Sequence, residues 1–237
     1  VHPGPLYHLD SVSYVNFPHA IDSVMRRSGG RPLVRRGDPF SVVTLENERS
    51  RIVKALREQG YYYQRNEHIS FRADTLQTPM MVKLQVQPSP TAPKEAMKPY
   101  YIGNTRVNIY KHGDRRIVDS LTMRGGFSFG YSRPADKPLL KPRTIWRSMM
   151  FHRGDLYCQS LNDLMQDGLA SMNIFSSVRI NYVPRENEEG TGDTLDIVVN
   201  ATLDKPYDAE FQGNITGKTG GQVGPGASFS FSKRNAF

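Results

Sequence analysis

Cysteine is nearly absent from this chain, with Cys158 the sole thiol in 237 residues. No internal disulfide framework is therefore possible, which excludes a small cystine-stapled fold. Cys158 stands just ahead of a helical run, where a small buried apolar residue is a better reading than a nucleophile. Long apolar runs are missing as well. No stretch is long enough to cross a bilayer as a helix, and Val1-His2-Pro3-Gly4 lacks the charged and apolar regions of a signal peptide. A cytosolic protein, or the middle of a longer secreted one, fits these absences.

Chemistry-bearing constellations are equally sparse. His2, His8, His19, His68, His112 and His152 are scattered, without the one-face pairing of helical zinc sites, so no metal is expected. Asp193 and Asp196 form the nearest approach to a carboxylate pair, and loop solvation explains them better than acid–base work. Asn214, Ile215 and Thr216 alone separate Gly213 from Gly217-Lys218-Thr219. That is one residue short of a phosphate loop, and the glycines and Pro225 that follow cannot begin a good helix. A turn between strands is the expectation. No catalytic residue and no cofactor is expected.

What the chain has is basic charge, turns and a repeat. Net charge is +8, with doublets Arg26-Arg27, Arg35-Arg36 and Arg115-Arg116, which favours acidic surroundings, either nucleic acid or an anionic membrane. Twenty glycines and 16 prolines mark many turns, and the length suits one large domain or two small ones. One pattern occurs twice: Gly-Asp, an aromatic, an amphipathic helix, a residue tolerant of left-handed backbone, another aromatic and a strand-like run. The first copy runs from Gly37-Asp38-Pro39-Phe40 to Gly60-Tyr61. The second runs from Gly154-Asp155-Leu156-Tyr157 to Asn173-Ile174-Phe175. A supersecondary unit used in series points to a modular binding scaffold.

Around the first copy, Tyr7 to Val15 reads as a strand and Pro18 opens a short helix carrying Ile21, Val24 and Met25. Ser41 or Thr44 caps the main helix, which Gly60 ends. His68 to Phe71 and Met81 to Val86 read as strands. Pro88-Ser89-Pro90, Pro93 and Pro99 form a stiff polar connector. Around the second copy, Tyr101 to Tyr110 reads as a strand, and Lys111 to Lys141 as an inserted hairpin turning at Gly125-Gly126. Pro142 opens a helix bearing Ile145, Trp146 and Met149. A longer helix then places Leu161, Leu164, Met165, Gly168, Leu169 and Met172 on one face. Asn173 replaces the first copy's glycine, a tolerable exchange in left-handed geometry. Val178 to Tyr182 and Leu195 to Leu203 complete the unit across an acidic loop, Glu186 to Asp193. From Tyr207 on, apolar and polar residues alternate in two runs, the weak signature of a transmembrane barrel hairpin.

These residues together resemble tandem polypeptide-transport-associated (POTRA) domains. The closing Leu195 to Val199, Tyr207 to Asn214 and Ser228 to Phe237 are similar to the junction of last POTRA domain and barrel in the BamA/TamA superfamily, a surface-antigen family. The 111–141 insertion resembles the TamA-like branch more than BamA. The resemblance implies an α+β fold: two tandem β-α-α-β-β units, each a three-stranded mixed sheet with two helices on one face, then the first hairpin of a truncated outer-membrane barrel. The implied boundaries are residues 1–90, a 91–99 linker, 100–206 with the inserted hairpin, and 207–237.

It further implies a periplasmic region of a Gram-negative outer-membrane protein assembly or translocation factor, whose full-length form is integral to that membrane through the missing barrel. The second strand of each unit would lie at a sheet edge and bind unfolded outer-membrane clients by β-augmentation. The candidate edges are Glu67, His68, Ile69, Ser70 and Phe71, and Val178, Arg179, Ile180, Asn181 and Tyr182. Gly37, Asp38, Gly60, Tyr61, Gly154, Asp155, Asn173 and Phe175 would hold each unit together. Periplasmic partner proteins are implied; cofactors and nucleic acid are not. The rival readings are a basic α+β RNA-binding module displaying Tyr61-Tyr62-Tyr63 and the transporter of a two-partner secretion system.

Overall fold

Alternation of apolar and polar residues builds β1, His8–Tyr14, and turns Leu9 inward. Helix α1, His19–Arg27, buries Ile21 and Met25, spaced one turn apart. Helix α2, Val42–Arg57, is capped by Ser41, whose Oγ accepts the Thr44 N–H at 3.4 Å. Past its end Gly60 takes φ +94°, and the Tyr61 N–H bonds back to the Leu56 carbonyl. Two strands follow, β2 at Ile69–Asp74 and β3 at Met81–Pro88. The sheet order is β1-β3-β2, with β3 parallel to β1 and antiparallel to β2. Helix and sheet meet in two apolar clusters, one around Ile21, Ile52, Leu56, Ile69 and Val86, the other around Leu9, Val34, Leu45, Val82 and Leu84.

Among the described residues of this first part, Glu48 is a buried charge. The Glu48 carboxylate is fully buried and accepts from Tyr14 Oη (2.6 Å), the Leu33 N–H (2.9 Å) and Arg51 (2.6 and 2.8 Å). Burial opposes its charge, yet the hydrogen bonds from Arg51, Tyr14 and Leu33 prevail and hold its carboxyl below the usual range. The same burial, with Glu48 beside it, pushes the Tyr14 hydroxyl far up. Glu48 thereby ties β1 and the 30–38 loop to α2.

The remaining elements are β4 at Tyr101–Tyr110, β5 at Asp119–Thr122, β6 at Phe127–Tyr131, α3 at Pro142–Trp146, α4 at Gln159–Ala170, β7 at Phe175–Asn187 and β8 at Gly190–Leu203. The second sheet has the order β5-β6-β4-β8-β7. Burial alternates along β8, with Leu195, Ile197, Val199 and Ala201 inward. Asn173 closes α4 at φ +51°. A separate two-stranded sheet pairs β9, Tyr207–Gly217, with β10, Val223–Lys233.

The computed structural model describes residues 6–27, 30–76, 79–133, 140–187, 190–205, 207–217 and 223–233. Two compact units emerge that do not follow chain order. The first comprises Val1–Asn104, Met149–Met165 and Tyr182–Asp196; the second comprises Thr105–Ser148, Gln166–Asn181 and Ile197–Phe237.

Several local expectations need correction. Glu67 and His68 lie in a 3-10 turn, Asn66–His68, rather than in a strand. Met149 falls beyond α3, though it is buried. Leu164 is 55% exposed, because the inward face of α4 is narrower than its apolar composition suggests and centres on Met165 and Leu169. The acidic segment is largely strand, since β7 reaches Asn187 and β8 starts at Gly190. The connector is more than a polar spacer: it forms a 3-10 turn, Lys94–Met97, that buries Ala96. Cys158 is half-buried, and its thiol donates to Glu58 Oε2 at 2.9 Å.

Candidate binding edges

In each of the two larger sheets the repeated pattern covers the start of one strand: β1, which ends its sheet, and β4, which lies between β6 and β8 in its own. In the first copy the Gly37 N–H donates to the Leu9 carbonyl (2.7 Å), the Leu9 N–H to the Asp38 carbonyl (2.9 Å) and the Phe40 N–H to the Tyr7 carbonyl (2.8 Å). In the second copy the Gly154 N–H donates to Ile102 (2.8 Å), Ile102 to Asp155 (2.8 Å) and the Tyr157 N–H to Tyr100 (2.9 Å). The two sets correspond bond for bond. The aspartate side chains fix the turn in both: Asp38 accepts the Arg35 N–H at 3.0 Å and Asp155 the His152 N–H at 2.7 Å. Gly37 and Gly154, at φ +89° and +93°, supply the left-handed step that starts each short pairing segment. Gly-Asp-x-aromatic is thus a device for covering the outer edge at the start of β1 and β4.

From Thr105 to Ile109 the edge of β4 is covered differently, by β6 in parallel register. Phe127, Phe129 and Tyr131 of β6 are all buried. The inserted hairpin therefore enlarges the sheet instead of standing apart from it.

β2 ends the first sheet opposite β1, and β7 ends the second opposite β5. For β2 the open groups follow from the register. Ser89 N–H bonds to the His68 carbonyl (2.8 Å), one step before the Ile69–Pro88 pair. Antiparallel ladders alternate, so Ser70, Arg72 and Asp74 turn their backbone groups toward β3, and Ile69, Phe71 and Ala73 turn theirs outward. The Ile69 N–H is taken by the Asn66 carbonyl. The outward donors are consequently those of Phe71 and Ala73, and among the described residues no backbone group of another segment bonds to them. Arg72, Asp74, Lys83 and Gln85 line a shallow polar hollow beside this strand. Along β7, Ser177, Arg179 and Asn181 line a comparable hollow with Tyr110, Asn200 and Thr202.

The structure puts Ile69, Ser70 and Phe71 in β2 and Val178 to Tyr182 in β7; the outward donors of β2 were not legible, because register is invisible in one strand read alone. Sequence reasoning also missed a ring cluster inside the first unit. Tyr62 packs against Tyr63, Tyr157 and Tyr182 at 4.9, 5.0 and 5.1 Å, and Tyr63 packs against Tyr100 at 5.1 Å. Tyr182 Oη donates to Asn162 at 2.8 Å, so the side chain of this mid-strand residue of β7 is tied down. Burial raises the phenol of Tyr182 strongly and pushes that of Tyr100 up to about 12. Tyr61 is buried separately, in the helix–sheet core. The run of three tyrosines was the available signal. Phe175, at the start of β7, is half-buried.

The β9-β10 hairpin segregates its faces. The register sets Phe211 opposite Phe229 and Ala209 opposite Phe231, while Glu210 and Gln212 oppose Ser230 and Ser228. Phe211, Phe229 and Phe231 are 73%, 70% and 61% exposed. No helix of the described chain is long and apolar enough to cross a membrane. Among the described residues, no group of three or more histidine, cysteine or acidic side chains is placed to hold a metal.

These features define a mixed α+β scaffold in which, among the described residues, β2 and β7 end the two larger sheets with no further strand paired beyond them. The sequence matches no protein-family model and no curated protein. Among solved structures, the crystal structure of BamA from Haemophilus ducreyi lacking POTRA domains 1–3 is similar over 94% of this chain and 34% of its own length. Its TM-score is 0.58 at 14% identity. The POTRA3–5 structure of Haemophilus influenzae BamA aligns over 83% of this chain and 61% of its own, with a TM-score of 0.47 at 14% identity. CdiB from Acinetobacter baumannii aligns over 97% and 36%, with a TM-score of 0.34 at 10% identity. The first likeness shows the fold alone: this chain folds like part of that BamA structure. The chain spans about a third of the length of that BamA structure.

Proposed function

We propose that this chain is a POTRA-bearing periplasmic region of an outer-membrane protein assembly or translocation factor, in which β2 and β7 receive extended client polypeptide by β-augmentation. Two tandem β-α-α-β-β units carry the edges, joined at residues 91–99, with the insertion keeping a TamA-like branch in view. The observation that supports this most is the asymmetry of the edges. The repeated motif covers the starts of β1 and β4 with the same three hydrogen bonds, and among the described residues β2 and β7 carry no such cover. Backbone pairing at an open edge gives affinity with little side-chain preference, which suits a factor handling many unfolded clients.

The same reading makes β9-β10 the first hairpin of the barrel. Eleven-residue strands at ~3.3 Å per residue, tilted by ~45°, span about 25 Å, the height of an outer-membrane apolar band. The exposed phenylalanines would then face lipid. Tyr61, Tyr62 and Tyr63 are engaged in the core and ring cluster, which leaves an RNA-stacking platform without its principal aromatics.

The test is site-specific photo-crosslinking to an unfolded outer-membrane protein. Probes at Ala73 on β2 and Arg179 on β7 should capture client, and a probe at exposed Leu164 on α4 should not. Capture equal at all three positions, or confined to Leu164, would overturn augmentation.

A further inference from the structure

The inserted hairpin covers β4 but creates a new outer strand, β5, only four residues long and exposed along its whole length. Its apolar decoration invites pairing: Val118 is 67% exposed, Leu121 43% and Met123 37%. An exposed apolar edge is a liability that proteins commonly blunt. The blunting is visible here. Met123 N–H donates to the Phe127 carbonyl (2.8 Å), and the register sets Leu121 opposite Phe129. Odd-numbered residues of β5 therefore turn their backbone toward β6, and Ser120 and Thr122 turn theirs outward.

The outward Ser120 N–H is not left for a partner strand; it donates to the carboxylate of Asp119 at 2.7 Å. One residue earlier the ladder ends in a β-bulge. The Val118 N–H reaches the carbonyl of Tyr131, the residue that already stands opposite Asp119. A bulge bends and twists the edge out of register with an incoming strand.

We infer that Asp119 is a specificity-determining residue that closes the β5 edge to strand addition, so that β7 is the accepting edge of the five-stranded sheet. This deepens the client-binding reading but rests on its own geometry. It also assigns the insertion a role: covering β4 without opening an equivalent edge in its place.

The test compares Asp119→Ala with Asp119→Asn, which keeps an acceptor for the Ser120 N–H, in two measurements. One is photo-crosslinking of an extended outer-membrane precursor peptide to probes at Thr122 and, separately, Arg179. The other is self-association by sedimentation equilibrium, read as the change from the parent, since a newly opened edge adds a site for pairing with a second copy. Asp119→Ala should raise capture at Thr122 about fivefold, the weight of one recovered hydrogen bond, and leave Arg179 unchanged. It should also self-associate more strongly than the parent and Asp119→Asn, in which the β2 and β7 edges are unchanged. Strong Thr122 capture in the unsubstituted protein would overturn the inference. So would an Asp119→Ala variant that self-associates no more than the parent and stays silent at Thr122. Should Arg179 capture nothing in any variant, the client reading of β7 fails, and self-association alone decides the role of Asp119.

Discussion

Removing the Glu48 carboxylate should destabilise the first unit more than any surface substitution, and its surroundings set the size of the effect. In Glu48→Ala the Leu33 N–H and Tyr14 hydroxyl lose their acceptor and Arg51, its side chain only 15% exposed, loses its carboxylate. Breaking one side of a buried ion pair costs about 3–5 kcal/mol. A domain of ordinary stability has roughly 5–15 kcal/mol in total, so the variant should be near its folding limit at 37 °C. Glu48→Gln keeps an acceptor for some of the donors and should lose about 1–3 kcal/mol.

The effect also has a pH dependence. Because the folded carboxyl lies below its ordinary value, the stabilisation is fully present above the unfolded pKa of about 4.3. It disappears as pH falls through the depressed folded value. Urea titrations of parent and Glu48→Gln should therefore differ at pH 7 and converge in strong acid. A Glu48→Ala midpoint within about 1 kcal/mol of the parent would refute the assigned role.

The other predictions are local. Gly60→Ala adds a Cβ 2.6 Å from Leu156 Cδ1 and 3.1 Å from Pro99 Cβ at positive φ, whereas Gly37→Ala meets nothing within 4 Å. Gly37→Ala should cost about 1–2 kcal/mol from backbone strain alone, and Gly60→Ala about 1–3 kcal/mol more, read as urea midpoints. Glu58 accepts from the Ser160 N–H and hydroxyl at the start of α4, so Glu58→Ala should lose about 1 kcal/mol of capping stability in the same assay. Burial and the Glu58 hydrogen bond hold the Cys158 thiol above its ordinary pKa. Iodoacetamide should therefore label Cys158 faster in Glu58→Ala at pH 8.

Much of the element order was legible because glycine, proline and periodicity punctuate it. β4 spans Tyr101–Tyr110, where the apolar positions Ile102, Val107 and Ile109 indicate a strand, and Asn173 takes the left-handed geometry its position requires. What escaped depends on contacts distant in sequence. Leu164 matched the helical apolar pattern, yet only Met165 and Leu169 on α4 are fully buried. Tyr62 meets Tyr157 and Tyr182 across some hundred residues, a meeting no local pattern encodes. The role of Gly37-Asp38 and Gly154-Asp155 was partly readable as backbone geometry. That they cover strand edges was not, since those bonds are made by backbone groups common to every residue. For the same reason Phe71 and Ala73 emerge as outward donors only once β2 is paired with β3.

The central claim, that client chains pair with the outward backbone of β2, is tested most directly by two neighbouring prolines. Ala73→Pro removes an outward donor, and Arg72→Pro removes a donor facing β3. The measurement is affinity for an unfolded outer-membrane precursor alongside the thermal midpoint. Ala73→Pro should weaken binding about fivefold or more with little change in melting, and Arg72→Pro should lower the melting temperature. Full client affinity in a folded Ala73→Pro protein would contradict the account.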